Sequence, residues 1–157
     1  MARRWLLPLT VAALVTAGLA ASGCGQSDKD RYVHDYKPLN DRLLRIGEAI
    51  GRAPIEAAPD SNTKLSARFR RYASDLDRVN KDIAALDTPG DLRADATALT
   101  RGIGAVVRDL EKISRAASRG DQKAVAATTV ALRDGANMVN KAQNRLARAT
   151  GADVGPR

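Results

Sequence analysis

The sequence predicts an all-α protein whose domain is an antiparallel up-down-up-down four-helix bundle. Apolar residues recur at alternating spacings of four and three along four long segments, which is the pattern of helices with one apolar stripe each. No segment alternates with the period of two that a half-buried strand shows. Two of the connections are short, which favours antiparallel neighbours. The 157 residues are enough for one domain with an ordinary core, which we place at residues 31–150.

The first predicted helix contains a proline. Its apolar stripe consists of Tyr32, Tyr36, Leu39, Leu43, Ile46 and Ile50. A proline inside a helix removes one hydrogen bond and clashes with the preceding turn, so Pro38 should break or bend this stretch. We therefore expect a short first segment, with the regular helix restarting near Lys37. Residues 51–62 contain two prolines and are predicted to form the next loop.

The second predicted helix ends at a tight turn that should also start the third. Its apolar stripe consists of Leu65, Phe69, Tyr72, Leu76, Val79, Ile83 and Leu86. In the following turn, Thr88 can cap the third helix and Pro89 suits its first position. Asp91 stands where the acid of a capping box belongs.

The third and fourth predicted helices are joined by a glycine and an aspartate. The third stripe consists of Leu92, Ala96, Leu99, Ile103, Val106, Leu110, Ile113 and Ala117. The fourth is the weakest and consists of Val125, Thr128, Leu132, Gly135, Val139, Ala142, Leu146 and Ala149. Gly120 suits a left-handed C-terminal position, and Asp121 can cap the fourth helix. Residues 151–157 are predicted to be a disordered tail.

Residues 1–23 have the three-part layout of a secretory signal peptide. MARR is positively charged, WLLPLTVAALVTAGLA is apolar and uncharged, and small residues directly precede the one cysteine. The residues Ala21, Ser22, Gly23 and Cys24 resemble the lipobox of bacterial lipoproteins, with Ala21 where that family usually has Leu. The resemblance implies diacylglycerol on the Cys24 sulfur and cleavage before Cys24. The alternative is an ordinary cleaved signal peptide followed by an unmodified thiol.

An acylated Cys24 would hold the protein on the outer face of the bacterial cell membrane. Two or three acyl chains, at about 0.8 kcal/mol per buried methylene, anchor a protein where one chain would not. We expect residues 24–30 to be a short polar tether between this anchor and the bundle. The membrane is thus the first partner that the sequence indicates.

The sequence offers no residue that we nominate as catalytic. A di-iron site in a helical bundle needs four Glu and two His, whereas this chain has three Glu and one His. Its Ser and Thr residues lack a nucleophile elbow, and phosphate-loop and dinucleotide-binding glycine patterns are absent. We therefore expect no enzyme activity, no metal site and no cofactor.

Residues 39–53 and the last two helices resemble soluble periplasmic b-type cytochrome bundles. Those proteins bind haem through a Met early in the first helix and a His late in the fourth. Here the matching positions hold Tyr36 and, approximately, Asn140, so neither ligand carries over. His34 with Met138 is a poor replacement pair, because His34 lies off the apolar stripe and Met138 lies about 9 Å of helix rise from the matching level. We expect His34 to face solvent beside Asp35.

Three arginines early in the second helix are candidates for contact with an anionic surface: Arg68, Arg70 and Arg71. The formal net charge is +8, and outside the cytoplasmic membrane the available anions are lipid head groups and cell-wall polymers. The alternative is a solvated helix face, because aspartates are interleaved with the arginines. Nucleic acid is not expected as a partner, since it would need a denser basic patch and an intracellular location.

Small residues in the last two helices leave two interpretations open. Gly102 and Gly104 each cost about 1 kcal/mol of stability within a helix. Their presence is explained either by close approach of a neighbouring helix, or by a hinge or a groove for a ligand. The small residues of the fourth stripe either allow close packing or leave a slot for an apolar guest.

The mature chain resembles small, uncharacterised lipoproteins of actinobacterial type. The motifs that carry this resemblance are LDTPGDL (86–92) and AASRGDQKAV (116–125). Two functions stay open. The first is a non-catalytic, lipid-anchored interaction module that contacts an envelope protein or the cell wall. The second is a binding protein that holds an apolar ligand or haem in the bundle core.

Overall fold

The computed structural model describes residues 24–56 and 61–151. These residues form four α-helices and no strand: α1 (Cys24–Glu56), α2 (Asn62–Ala84), α3 (Arg93–Ser118) and α4 (Gln122–Thr150). The protein is therefore all-α in its described part, as the apolar periodicity predicts. The predicted signal peptide, with Ala21, Ser22 and Gly23, lies outside the described residues, and so does the predicted tail beyond Gly151. No helix of the described part is both long and apolar enough to cross a membrane.

Helix α1 is longer at both ends than the sequence predicts. Of the two expected effects of Pro38, a break and a bend, the break is wrong, because one helix runs through this residue. Because proline has no amide hydrogen, the His34 carbonyl loses its usual helical partner at position 38. Both residues are exposed, so water can donate a hydrogen bond to that carbonyl. Residues 24–30, expected to be a separate tether, form the first turns of α1, and Lys29 Nζ lies 2.5 Å from Asp91 Oδ2. The predicted loop 51–62 is also shorter, because α1 continues to Glu56.

The connection between α2 and α3 differs from the predicted cap. Helix α3 begins at Arg93 after Leu92, which has no side chain capable of capping. Thr88 Oγ1 instead donates to the Leu86 carbonyl, and Asp91 pairs with Lys29 on α1. The hydrogen bond from Lys29 lowers the pKa of the Asp91 carboxyl below its ordinary value. The acid that the local motif assigns to a capping box, Asp91, therefore forms an ion pair with a residue that is distant in sequence.

The connection between α3 and α4 matches the sequence prediction. Gly120 has a φ of 69°, in the left-handed region that favours glycine. Asp121 is the N-cap of α4, and its Oδ1 accepts a 2.9 Å hydrogen bond from the Ala124 amide. Helix α2 has a similar cap at Ser61, which accepts from the Lys64 amide.

Helix α3 occupies the centre of the packing. It contacts α2 and α4 along most of its length, whereas α1 packs mainly on α2 and meets α4 at few places. The contacts fit a helical bundle. The largest fully buried apolar side chains of α2, α3 and α4 are Val79, Ile83, Leu99, Ile103, Leu110, Ile113 and Leu146. Three stripe residues of α1 are only partly buried: Leu39, Ile46 and Ile50. Helix α1 also makes the fewest contacts with the other helices.

Candidate functional site

The sparse contact between α1 and α4 leaves a groove of about 650 Å³ between them. Buried residues of α2 and α3 form its floor, namely Leu76, Ile103 and Val106. Its walls include Leu43, Leu44 and Ile50 of α1 and Leu132, Ala136 and Val139 of α4. The volume falls within the range of small-molecule sites, about 300–1,000 Å³. This groove, which we call the α1–α4 groove, is the principal candidate site.

A buried hydrogen-bond network closes one end of the α1–α4 groove. Asn40 Oδ1 accepts two hydrogen bonds, one from Tyr36 Oη at 3.0 Å and one from Gln143 Nε2 at 2.7 Å. All three residues are buried, so the network links α1 to α4 away from water. Asn40 and Gln143 both line the groove, and the hydrogen bond between them uses Asn40 Oδ1 and Gln143 Nε2. The network therefore offers a guest one donor and one acceptor.

Two tyrosines of α1 extend this buried polar strip. The rings of Tyr32 and Tyr36 are stacked, with centroids 5.6 Å apart. Burial raises the pKa of Tyr32 to about 12. Burial, and secondarily the neighbouring Tyr32, raises the pKa of Tyr36 well above its ordinary value. Both hydroxyls are therefore protonated at neutral pH, and Tyr36 acts as a donor to Asn40.

Helix α1 presents a glycine to the groove where a side chain would have room. A Cβ built at Gly47 meets nothing within 4 Å, and Gly47 lines the groove opposite the α4 wall that contains Ala136. Gly51, one turn further along α1, is equally open but does not line the groove. The two glycines thus form a natural pair for separating groove filling from effects on the helix.

Gly102 serves close packing rather than a hinge or a groove. A Cβ there would lie 3.1 Å from Val139 Cγ2 and 3.2 Å from the Val139 backbone nitrogen. On α4, a Cβ at Gly135 would lie 3.0 Å from Val106 Cγ2. These two glycines let α3 and α4 approach closely, as one sequence interpretation predicts. Gly104 differs, because the nearest atom to its Cβ is Arg108 Nη1 at 3.6 Å, an ordinary contact.

The four residues that the sequence relates to haem binding lie in different environments. His34 is exposed, and its Nδ1 lies 3.0 Å from Asp35 Oδ1, as the sequence predicts. Met138 is also exposed, at 45% of its surface. Tyr36 belongs to the buried network, and Asn140 lines the α1–α4 groove. Among the described residues, no three His, Cys, Asp or Glu side chains are grouped so that they could hold a metal ion.

The structure divides the three arginines that the sequence singles out. Arg68 and Arg71 line a depression of about 430 Å³ between α1 and α2, together with Arg42 and Arg45 of α1. We call these four residues the arginine pocket. Arg70 does not line it, because it lies about 200° around the helix from Arg68.

Sequence reasoning found part of each site. The apolar stripe of α1 indicated Leu43 and Ile50, and the resemblance to cytochrome bundles drew attention to Tyr36 and Asn140. The sequence did not indicate Gln143, because a polar residue next to a stripe position carries no signal until its partner on another helix is known. It missed Arg42 and Arg45 for the same reason.

No protein-family model, curated protein or solved structure matches this chain. What the two sites can bind therefore follows from their own geometry.

Proposed function

We propose that this chain is a non-catalytic lipoprotein of the bacterial cell envelope whose up-down-up-down bundle binds a single-chain amphiphile in the α1–α4 groove. The observation that carries this proposal is the groove itself, which has an apolar floor and walls and a buried polar network at one end. This choice develops the second of the two functions that the sequence leaves open.

The apolar part of the groove suits a hydrocarbon chain. From Asn40 to Ile50, α1 rises about 15 Å, which defines a long and narrow space rather than a compact one. The side chains on its floor are aliphatic, and a ligand that covers them removes apolar surface from water at about 25 cal/mol per Å². A flexible chain fills such a space better than a rigid planar ring does.

The polar end of the groove suits a small hydrogen-bonding head. Asn40 Nδ2 can donate to a ligand oxygen, and Gln143 Oε1 can accept from a ligand hydroxyl or amide. Lys37 also lines the groove and is exposed, so an ammonium group is available at the rim to a carboxylate, beside the exposed Asp41 and Glu48. A fatty acid, or a hydroxylated lipid with one chain, has the required combination of head and chain.

A membrane anchor would bring the groove to a source of such molecules. The sequence pattern around Cys24 supports the anchor, and α1 begins at that residue. Asn40 lies sixteen residues further on, which is about 24 Å of helix rise. A protein attached through Cys24 therefore holds the polar end of the groove within a short distance of the lipid surface.

An interaction module is the second candidate, and an exposed apolar pair on α4 favours it. Val130 and Met138 are 67% and 45% exposed. In-cell crosslinking from Val130 that recovers one specific envelope protein would support this candidate. Crosslinking that recovers none would count against it.

The groove proposal is tested by identifying the amphiphile that copurifies with the full chain. Full chain is extracted from membranes and transferred into amphipol, and its non-covalently bound lipids are identified by mass spectrometry. We expect about one single-chain lipid per protein, and much less in Gly47→Leu, whose side chain fills the groove. Gly51→Leu is the matched control and should keep the lipid.

This pair of variants separates binding from folding. Both substitutions replace a helical glycine with a better helix former, which stabilises a helix by roughly 0.8 kcal/mol, and neither new Cβ meets an obstacle. Loss of lipid from Gly47→Leu alone therefore reflects the groove. Equal lipid content in the two variants, or no copurified lipid in the unmodified chain, would contradict the proposal.

A further inference from the structure

We propose that the arginine pocket is a second binding site, specific for a phosphate group. It lies on the side of α1 facing α2, and no residue in the described part of the chain lines both this pocket and the α1–α4 groove. The inference goes beyond the proposed function and does not depend on it.

The pocket concentrates like charges that a helix surface normally separates. Arg42 and Arg45 are spaced i, i+3 on α1, and Arg68 and Arg71 have the same spacing on α2. Residues with this spacing lie on one helix face, and like charges there repel each other. The depression between α1 and α2 brings both pairs together, so the repulsion acts within each helix and between the two helices.

Carboxylates only partly balance three of these arginines, Arg42, Arg45 and Arg71, whereas Arg68 has an interaction partner of its own. Among the described residues, Asp75 is the one acidic residue that lines the pocket. It is shared, because it lies 3.9 Å from Arg71 Nε and 3.3 Å from Arg78 Nη2, outside the pocket. Arg42 Nη1 lies 3.8 Å from Asp82 Oδ2. Lys81 and Arg145 are paired more closely, with Asp77 at 2.7 Å and with Asp95 at 2.6 Å. Arg42, Arg45 and Arg71 therefore give the pocket an excess of positive charge.

A phosphate group matches this arrangement in charge and in shape. A guanidinium group presents a planar fork of donors that bonds two phosphate oxygens at once. The pocket is concave, and the half-buried Tyr72 and the aliphatic Ile46 and Ala49 complete its lining. The α1–α4 groove, by contrast, is lined by Asp41 and Glu48 as well as Lys37, so it has no comparable preference for anions.

The test measures thermal unfolding of the full chain in phosphate and in chloride at equal ionic strength. We expect phosphate to raise the melting temperature of the unmodified chain, because a ligand that binds only the folded state stabilises it. The double variant Arg45→Gln/Arg71→Gln should need at least about tenfold more phosphate for the same rise, since each charge-assisted contact contributes to affinity. Arg70→Gln, on the same helix but outside the pocket, is the control and should respond like the unmodified chain.

A general salt effect of phosphate would stabilise all three proteins equally, and that result would overturn the proposal. So would the absence of any phosphate response in the unmodified chain. The double variant in chloride provides a check on its folding. We expect it to melt at or above the temperature of the unmodified chain, because it loses the repulsion. A large fall in its melting temperature would show that the arginines are structural and would contradict the proposal.

A second arm distinguishes the source of the phosphate. The full chain is placed in lipid nanodiscs of digalactosyldiacylglycerol, which has no phosphate group, with or without phosphatidylglycerol, both free of inorganic phosphate. If the ligand is a lipid head group, phosphatidylglycerol raises the melting temperature of the unmodified chain and of Arg70→Gln but not of the double variant. If the ligand is soluble, only added inorganic phosphate raises the melting temperature of these two proteins. Either result supports a phosphate site, and the absence of both effects refutes it.

Discussion

Gly102 and Gly104 lie two residues apart on α3, yet alanine should have opposite effects at the two positions. Both replacements improve helix propensity by about 1 kcal/mol. At Gly104 the new methyl group makes ordinary contact with the end of a flexible side chain, Arg108, so we expect the gain in stability to survive.

At Gly102 the new methyl group meets backbone that cannot rotate away. It would lie 3.2 Å from the Val139 nitrogen and 3.1 Å from Val139 Cγ2, so α3 and α4 must separate slightly. Overpacking of this kind costs about 1–3 kcal/mol. We therefore expect Gly102→Ala to be about 2 kcal/mol less stable than Gly104→Ala.

Thermal unfolding followed by far-ultraviolet circular dichroism measures this difference. For a chain of this size, a difference of about 2 kcal/mol corresponds to roughly 4–8 °C in melting temperature. Gly135→Ala should be milder than Gly102→Ala, because the nearest backbone atom, the Val106 nitrogen, lies 3.5 Å from the new Cβ rather than 3.2 Å. Equal stability of Gly102→Ala and Gly104→Ala would refute the close approach of α3 and α4 at this point.

Three further predictions concern the tyrosines and the anchor. Tyr32→Phe removes a buried hydroxyl that has no partner among the described residues, so urea denaturation should show unchanged or higher stability. Tyr36→Phe breaks a hydrogen bond to Asn40 and should lose about 1 kcal/mol of stability. A larger loss in Tyr32→Phe than in Tyr36→Phe would contradict this. Burial raises the pKa of Tyr32 from 10.0 to about 12, so the contribution of Tyr32 to stability is complete below pH 10 and is lost as the pH rises towards 12. The stability of Tyr32→Phe should therefore depend less on pH between 10 and 12 than that of the unmodified chain. The same dependence in both proteins would count against burial of the hydroxyl. Cys24→Ala should abolish incorporation of an alkyne-tagged fatty acid in cells, whereas the control Ser27→Ala should retain it; persistent labelling of Cys24→Ala would disprove the anchor.

The fold class could be predicted because helical periodicity is a local property. The stripes of α2 and α3 specify which faces are buried, and Gly120 with Asp121 specifies a chain reversal through backbone conformation alone. The predicted cap at Thr88 is wrong because capping competes with other partners. Thr88 bonds the Leu86 carbonyl, and Lys29 takes Asp91 from a distant part of the chain.

The two sites could be predicted only in part, because each depends on distances between helices. The stripe of α1 resembles the others, and nothing in it indicates that α1 lies apart from α4. The groove follows from that separation, and Gln143 acquires its role only through Asn40 on the facing helix. In the same way Arg68 and Arg71 become a site only beside Arg45, while Arg70, adjacent in sequence, lies elsewhere.

The most direct test of the central claim is photolabelling of the α1–α4 groove in membranes. A fatty acid with a diazirine on its chain is added to membranes that contain the full chain, and the labelled residues are mapped by mass spectrometry. We expect labels on residues 43–50 of α1 and 132–139 of α4, lost in Gly47→Leu and kept in Gly51→Leu. Labels confined to the exposed Val130 surface, or unchanged by Gly47→Leu, would contradict a ligand groove between α1 and α4.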